Sequence, residues 1–184
     1  MPDEGMRDRL YGPLIDLYGS TVTSLLTLNE MNWQDIPEPE RLLLVHRCDM
    51  TSTLAKFHGS NIRLHVLQKV ETPVILLREV ILHRMADNLP VEYGAIRIYL
   101  SRFPPAAQDV LRAGTIPLGT VLSTFSLDYV SEPFAYLKSS DSPFINKMLE
   151  LTHDPTVLYG RRNRHLNANG ELLADILEIV PPGL

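Results

Sequence analysis

The chain has 184 residues, 45% hydrophobic and 21% charged, which is enough apolar material to bury the core of one ordinary domain and too much for a disordered segment. Its formal net charge of −5 argues against a general nucleic-acid or anionic-membrane surface, yet leaves room for a local basic site that holds a small anion. The single cysteine, Cys48, forbids an intrachain disulfide; with an acidic N-terminus lacking signal-peptide order and no apolar run of spanning length, a cytoplasmic protein is expected.

Residues 12–29 space Leu14, Ile15, Leu17, Tyr18, Val22, Leu25, Leu26 and Leu28 helically, with Gly19 as a break. NWQDIPEPE (32–40) is an acidic loop, so 1–40 read as a helical extension and loop ahead of the main body. In 41–58 a short β-like run passes into a helix that Asp49 or Thr51 could cap and that reaches Gly59. NIRLHVLQKV (61–70) alternates as a strand with one wet face. VILLREVILH (74–83) follows as a buried strand, VEYGAIRIYLSRF (91–103) as a third, and the short links make an antiparallel meander.

Pro104-Pro105 ends the meander, AAQDVLRAG (106–114) is a short helix closed by Gly114, and PLGTVL (117–122) starts another helical turn. SLDYVSEPFAYL (126–137) alternates as a strand interrupted by Pro133, and 139–155 reads as an insertion with a helical middle. VLYGRRNRHLN (157–167) and ELLADILEIV (171–180) flank Ala168-Asn169-Gly170 as a hairpin. The expected architecture is one α+β domain over 1–184, with an antiparallel sheet of about six strands and helices on one side.

Arg78 stands out inside its apolar strand. A guanidinium there is either neutralised by a neighbour such as Glu79 or kept to hold an anionic ligand. The six histidines show no pair at ligand spacing, so no metal is expected. GTIPLG (114–119) matches neither a P-loop nor a dinucleotide fingerprint, and no nucleophile elbow is present, so no cofactor is expected. In GRRNRH (160–165), Arg162 and Arg164 share one strand face and Arg161 the other, the pattern of a solvated face with one inward arginine.

The order LLREVIL (76–82), IPLG (116–119), LYGRRNR (158–164) and LEIVPP (177–182) resembles the chorismate pyruvate-lyase family, over roughly residues 45–182. That resemblance implies an enzyme eliminating pyruvate from chorismate to give 4-hydroxybenzoate for quinone or other aromatic biosynthesis, without a cofactor. It also implies a six-stranded antiparallel sheet with the ligand enclosed beneath two helix-turn-helix flaps. Residue by residue, it assigns Arg78 to the ring carboxylate, the backbone amides of Met50 and Leu118 to the same group, and Glu178 to the 4-hydroxyl end as the second catalytic residue. Family members differ by one residue in the spacing from hairpin glycine to glutamate; the longer spacing selects Glu178, the shorter Leu177. On the strand, Ala174, Ile176, Glu178 and Val180 share one face, and Asp175 and Leu177 the other. The 139–155 insertion departs from the family and could enlarge or cover the pocket mouth.

The same sheet also occurs in ligand-sensing domains of bacterial transcription regulators, which bind small effectors and catalyse nothing. They usually follow a winged-helix DNA-binding domain, for which the stretch before residue 45 is short and acidic. A related protein acting on another aromatic acid is the third reading. In all three the partner is a small molecule, with no nucleic acid or membrane insertion implied and the oligomeric state open.

Overall fold

The computed structural model describes residues 4–140, 142–152 and 157–183. Helices α1 (Glu4–Tyr11), α2 (Pro13–Tyr18) and α3 (Val22–Leu25) open the chain. Gly19, at φ 60°, breaks the helical run at the expected place. The run does not continue to residue 29, because Leu28–Met31 leave it as a short strand, β1. Then come α4 (Glu40–Leu44), α5 (Met50–His58), and strands β2 (Ile62–Glu71), β3 (Ile75–Arg84) and β4 (Pro90–Tyr99). Helices α6 (Pro105–Ala113) and α7 (Leu118–Thr124) precede β5 (Tyr129–Ser140), α8 (Pro143–Met148), β6 (Val157–Asn167) and β7 (Leu172–Val180).

All seven strands form one antiparallel sheet in the order β1-β5-β6-β7-β4-β3-β2. The α+β class is as expected, with one strand more. β1 escapes periodicity analysis because four residues are too few to alternate visibly, and its pairing of Leu28 with Ser139 is long-range. Pro133 does not end β5; the register shifts between Pro133 and Ala135, so the residue without an N–H sits at an irregularity in the ladder. Asp49 is the cap of α5, its side chain accepting from the Ser52 amide at 2.8 Å.

Strand alternation divides the core. Helices α5, α6 and α7 gather on one face, where Leu76, Ile96, Ile98 and Ile176 meet Leu111, Val121 and Leu122. Leu82 and Val91 extend that face against Leu44, Met50 and Leu54. The opposite face, carrying Ile81, Tyr93, Leu177 and Ile179, is covered by Leu10, Leu14 and Val22 of the N-terminal helices and by Ile145 of α8. This cover explains why β3 and β7 read as nearly continuous apolar runs although the sheet is antiparallel. The described part of the 139–155 insertion therefore packs on the back of the sheet, away from α5 and α7; residues 141 and 153–155 lie outside the described residues. No helix among the described residues is long and apolar enough to cross a membrane.

Candidate functional site

A pocket lies between the front face of the sheet and the starts of α5 and α7, with about 470 Å³ of space between atoms, part of it open to solvent. Strand register arranges its floor in rows. Arg78 pairs with Ile96, and Ile96 with Ile176. The next row runs Val80, Gly94, Glu178 and Arg161, and the one beyond pairs Leu82 with Glu92. Apolar Val80, Leu82, Ile96 and Ile176 thus separate a small number of charged groups.

The roof comes from two helix starts. Met50 begins α5 and Leu118 begins α7, and both line the pocket. Their close approach depends on Gly119, where a Cβ would come within 2.2 Å of Asp49 Oδ1. Tyr129 Oη donates to Asp49 Oδ2 at 3.3 Å, so the carboxylate that caps α5 is also held from β5.

Arg78 is 2% exposed, and its Nε and Nη1 are buried without a hydrogen-bond partner. Among the described residues no carboxylate forms an ion pair with it. Burial alone pulls its pKa down to about 10. The neighbour-pairing reading fails for a geometric reason: Glu79 points to the other face of the sheet. There it accepts from Tyr18 Oη, Tyr93 Oη and Gln68 Nε2, each at 2.7 Å. Alternation along the strand separates two adjacent charges that the sequence presents side by side.

Glu178 lies on the pocket face and is buried, with Asp175 on the opposite face. Glu178 accepts from Arg161 Nε. The remaining Arg161 nitrogens donate to the carbonyls of Leu44 at 3.0 Å, His46 at 3.1 Å and Cys48 at 3.4 Å, so Arg161 ties the 44–48 segment to the sheet. Arg161 is the inward arginine the sequence suggests. Arg162, expected on a solvated face, is buried as well: it donates to the carbonyls of Asp8 at 2.6 Å and Arg9 at 2.9 Å and pairs with Asp175 at 2.5 Å. The N-terminal helices turn what would have been the wet side of β6 into an interior.

Two pocket residues escaped sequence reasoning. Glu92 is 4% exposed, with Oε2 buried and unpartnered, and burial together with the nearby Glu178 charge holds its carboxyl well above the usual range. His165, buried beside the Tyr129 ring, is driven down to about 4 chiefly by burial and then by Arg161, and its Nδ1 also lacks a partner. The signal that could have found Glu92 is its even spacing from Gly94 and Ile96 along one strand face.

Arg78, Met50, Leu118 and Glu178 come from four segments distant in sequence, and all line this one pocket. Chemically, the pocket offers an unpartnered guanidinium at one end, the carboxyl groups of Glu92 and Glu178 at the other, and apolar walls between. No protein-family model matches the sequence, and no match was found among curated proteins. Solved structures do share the fold. PhnF from Mycobacterium smegmatis is similar with a TM-score of 0.53 at 11% identity, over 75% of this chain and 65% of PhnF, just under two thirds of that protein's length. The effector domain of PhnF gives 0.53 at 12% identity, over 73% of this chain and 89% of the domain. The ligand-binding domain of a protein from Bordetella bronchiseptica, described as a GntR-family transcriptional regulator, gives 0.50 at 12% identity, over 66% and 86%. At these identities the likeness is one of fold alone.

Proposed function

We propose that the protein binds a small, ring-containing carboxylate in the front-face pocket, as an effector-binding domain does, with Arg78 as the carboxylate clamp. The observation that carries this reading is the buried, unpartnered guanidinium of Arg78. A charge held without a counterion in a folded interior is costly, and an incoming carboxylate relieves that cost through a bidentate, charge-assisted pair. The amides of Met50 and Leu118, at the two helix starts, add donors to the same group. Ile96, Ile176 and Val80 supply flat apolar walls for a ring. The similarity to the PhnF effector domain and to the Bordetella ligand-binding domain favours binding over turnover.

A second reading, chorismate pyruvate-lyase, is favoured by one specific observation: the four residues assigned by resemblance to that family line a single pocket. In that reading Arg78 and the two amides fix the ring carboxylate. Glu178, paired with Arg161, accepts the C4 proton while the enolpyruvyl ether bond at C3 breaks. The electrons of the C4–H bond become part of the aromatic ring, and the departing enolpyruvate takes up a proton to give pyruvate. Titration calorimetry with 4-hydroxybenzoate, alongside incubation with chorismate and enzymatic measurement of pyruvate, separates the readings. Binding without pyruvate supports the effector domain, and stoichiometric pyruvate supports the lyase. If neither ligand binds, the carboxylate-clamp assignment is wrong.

A further inference from the structure

Glu92 is in the pocket but has no part in either reading above. It lies two residues from Gly94 on β4, whose cross-strand partner is Glu178, so the two carboxyl groups are diagonal neighbours on one sheet face. Arg161, the cation on this part of the floor, has Nε committed to Glu178 and both terminal nitrogens to main-chain carbonyls. Those bonds use four of its five N–H groups, and none of them goes to Glu92. Gly94 keeps the floor open beside Glu92: a Cβ there would come 3.1 Å from Glu92 Oε1 and 3.2 Å from Val80 Cγ2.

A fully buried carboxyl with no cation, beside a carboxylate that has one, is stable only with its proton on. The groups facing Glu92 are Glu178 on β7, Arg161 on β6 and Asp49 at the head of α5; of these Glu178 and Asp49 oppose its ionisation and Arg161 favours it. Arg78 and His165 line the same pocket from β3 and β6. The direction of the Glu92 shift, well above the ordinary carboxylate value, agrees with this placement.

We propose that Glu92 is a specificity-determining hydrogen-bond donor, which with the Glu178 carboxylate as acceptor selects ring carboxylates carrying a hydroxyl at the end opposite the carboxylate. The inference rests on the Arg78 carboxylate clamp proposed above. The distance fits a single ring: Arg78 lies opposite Ile96, four residues along β4 from Glu92, so their rows are about 13 Å apart between backbones before either side chain reaches inward. A hydroxyl both donates and accepts, so it satisfies Glu178 and Glu92 together. An amino group serves only the acceptor, and a bare ring edge leaves both groups unpaired in a buried site.

Calorimetry with benzoate, 4-aminobenzoate and 4-hydroxybenzoate tests the proposal in the full chain. The wild type is expected to prefer 4-hydroxybenzoate over benzoate by about tenfold or more, with 4-aminobenzoate between them. Glu92→Gln keeps a donor and is expected to hold the preference within about threefold; Glu92→Leu removes it while benzoate binding persists. Raising the pH ionises Glu92, so 4-hydroxybenzoate affinity should fall in the wild type more than in Glu92→Gln. Ionisation of the ligand is common to both proteins and divides out. Equal wild-type affinity for benzoate and 4-hydroxybenzoate, or matching pH profiles in wild type and Glu92→Gln, overturns the Glu92 role and leaves the Arg78 clamp standing. Failure of all three ligands to bind the wild type overturns both. The wild-type ligand series and pH profile decide the matter even if Glu92→Leu does not fold.

Discussion

Replacing Arg78 with methionine should make the empty protein more stable and the ligand-bound protein less so. The guanidinium is buried, and burial alone pulls its pKa from the ordinary arginine value down to about 10, an unfavourable charge burial on the order of 3 kcal/mol. Because the folded value lies below the unfolded one, that cost is fully present below about pH 10 and fades as the pH rises toward the unfolded value. Methionine fills a similar volume without the charge, so Arg78→Met should gain up to about 3 kcal/mol at neutral pH, with Tm rising by about 2–4 °C for each kcal/mol. The same change removes the carboxylate clamp and should weaken binding by about 2–5 kcal/mol. A ligand at about 100 times its Kd adds about 2.7 kcal/mol to the wild type and next to nothing to the variant, so the difference between the two melting curves shrinks or reverses on adding ligand. Thermal melts with and without 4-hydroxybenzoate measure all of this in one experiment. A variant that melts below the wild type in the absence of ligand would mean that Arg78 is satisfied by the protein itself, and the argument for a ligand there collapses.

Other substitutions separate the two faces of the sheet. Glu178→Gln leaves Arg161 without its buried counterion and should cost on the order of 3 kcal/mol; if the protein turns over chorismate, pyruvate release should fall about 100-fold while 4-hydroxybenzoate affinity is largely kept. Unchanged turnover in that variant would exclude Glu178 as the base. Asp175→Asn weakens the pairs with Arg162 at 2.5 Å and Arg97 at 3.2 Å, so stability should drop on the order of 3 kcal/mol with ligand affinity unaltered; altered affinity in the calorimeter would contradict its back-face placement. Gly119→Ala puts a Cβ against Asp49 Oδ1, and should cost about 1 kcal/mol through the displaced cap and weaken ligand binding, detectable as a lower Tm together with a higher Kd. Exhaustive chelation should leave affinity unchanged, and a loss restored by added metal would show a hidden metal dependence.

Most of the sheet was legible because its strands are long and obey one period. β3, β4, β6 and β7 lie where alternation and the Asn169-Gly170 turn put them, with Gly170 at φ 78° closing the hairpin. That Glu178 and Asp175 lie on opposite faces followed from parity, since a period of two leaves no other choice without a bulge, whereas the choice of Glu178 for the pocket face came only from the family resemblance. What stayed hidden was decided by partners distant in sequence. Arg162 is buried by carbonyls 153 and 154 residues away, and nothing local to GRRNRH signals that cover. Glu92 passed without notice in the sequence because its isolation depends on which partners Arg161 holds. The roof contact between Gly119 and Asp49 likewise joins segments 70 residues apart, and a glycine in a helix start carries no mark of what it must avoid.

Charged neighbours in a sheet covered on both faces obey a different logic from charged neighbours on a surface. Arg78-Glu79 and Arg161-Arg162 are charges adjacent in sequence, and each doublet is split across the sheet by the pleat. The front members, Arg78 and Arg161, reach the pocket or the carboxylate that lines it. The back members, Glu79 and Arg162, hold Tyr18 of α2 and the carbonyls at the end of α1. Each back charge is satisfied within the fold, by three neutral donors for Glu79 and by a carboxylate and three carbonyls for Arg162. Arg78 alone among these four has buried nitrogens left over, although equally good partners stand one residue away on the wrong face. In the binding reading proposed above, a fold that satisfies Glu79 with three hydrogen bonds and leaves Arg78 with none keeps that guanidinium for an anion that arrives from outside.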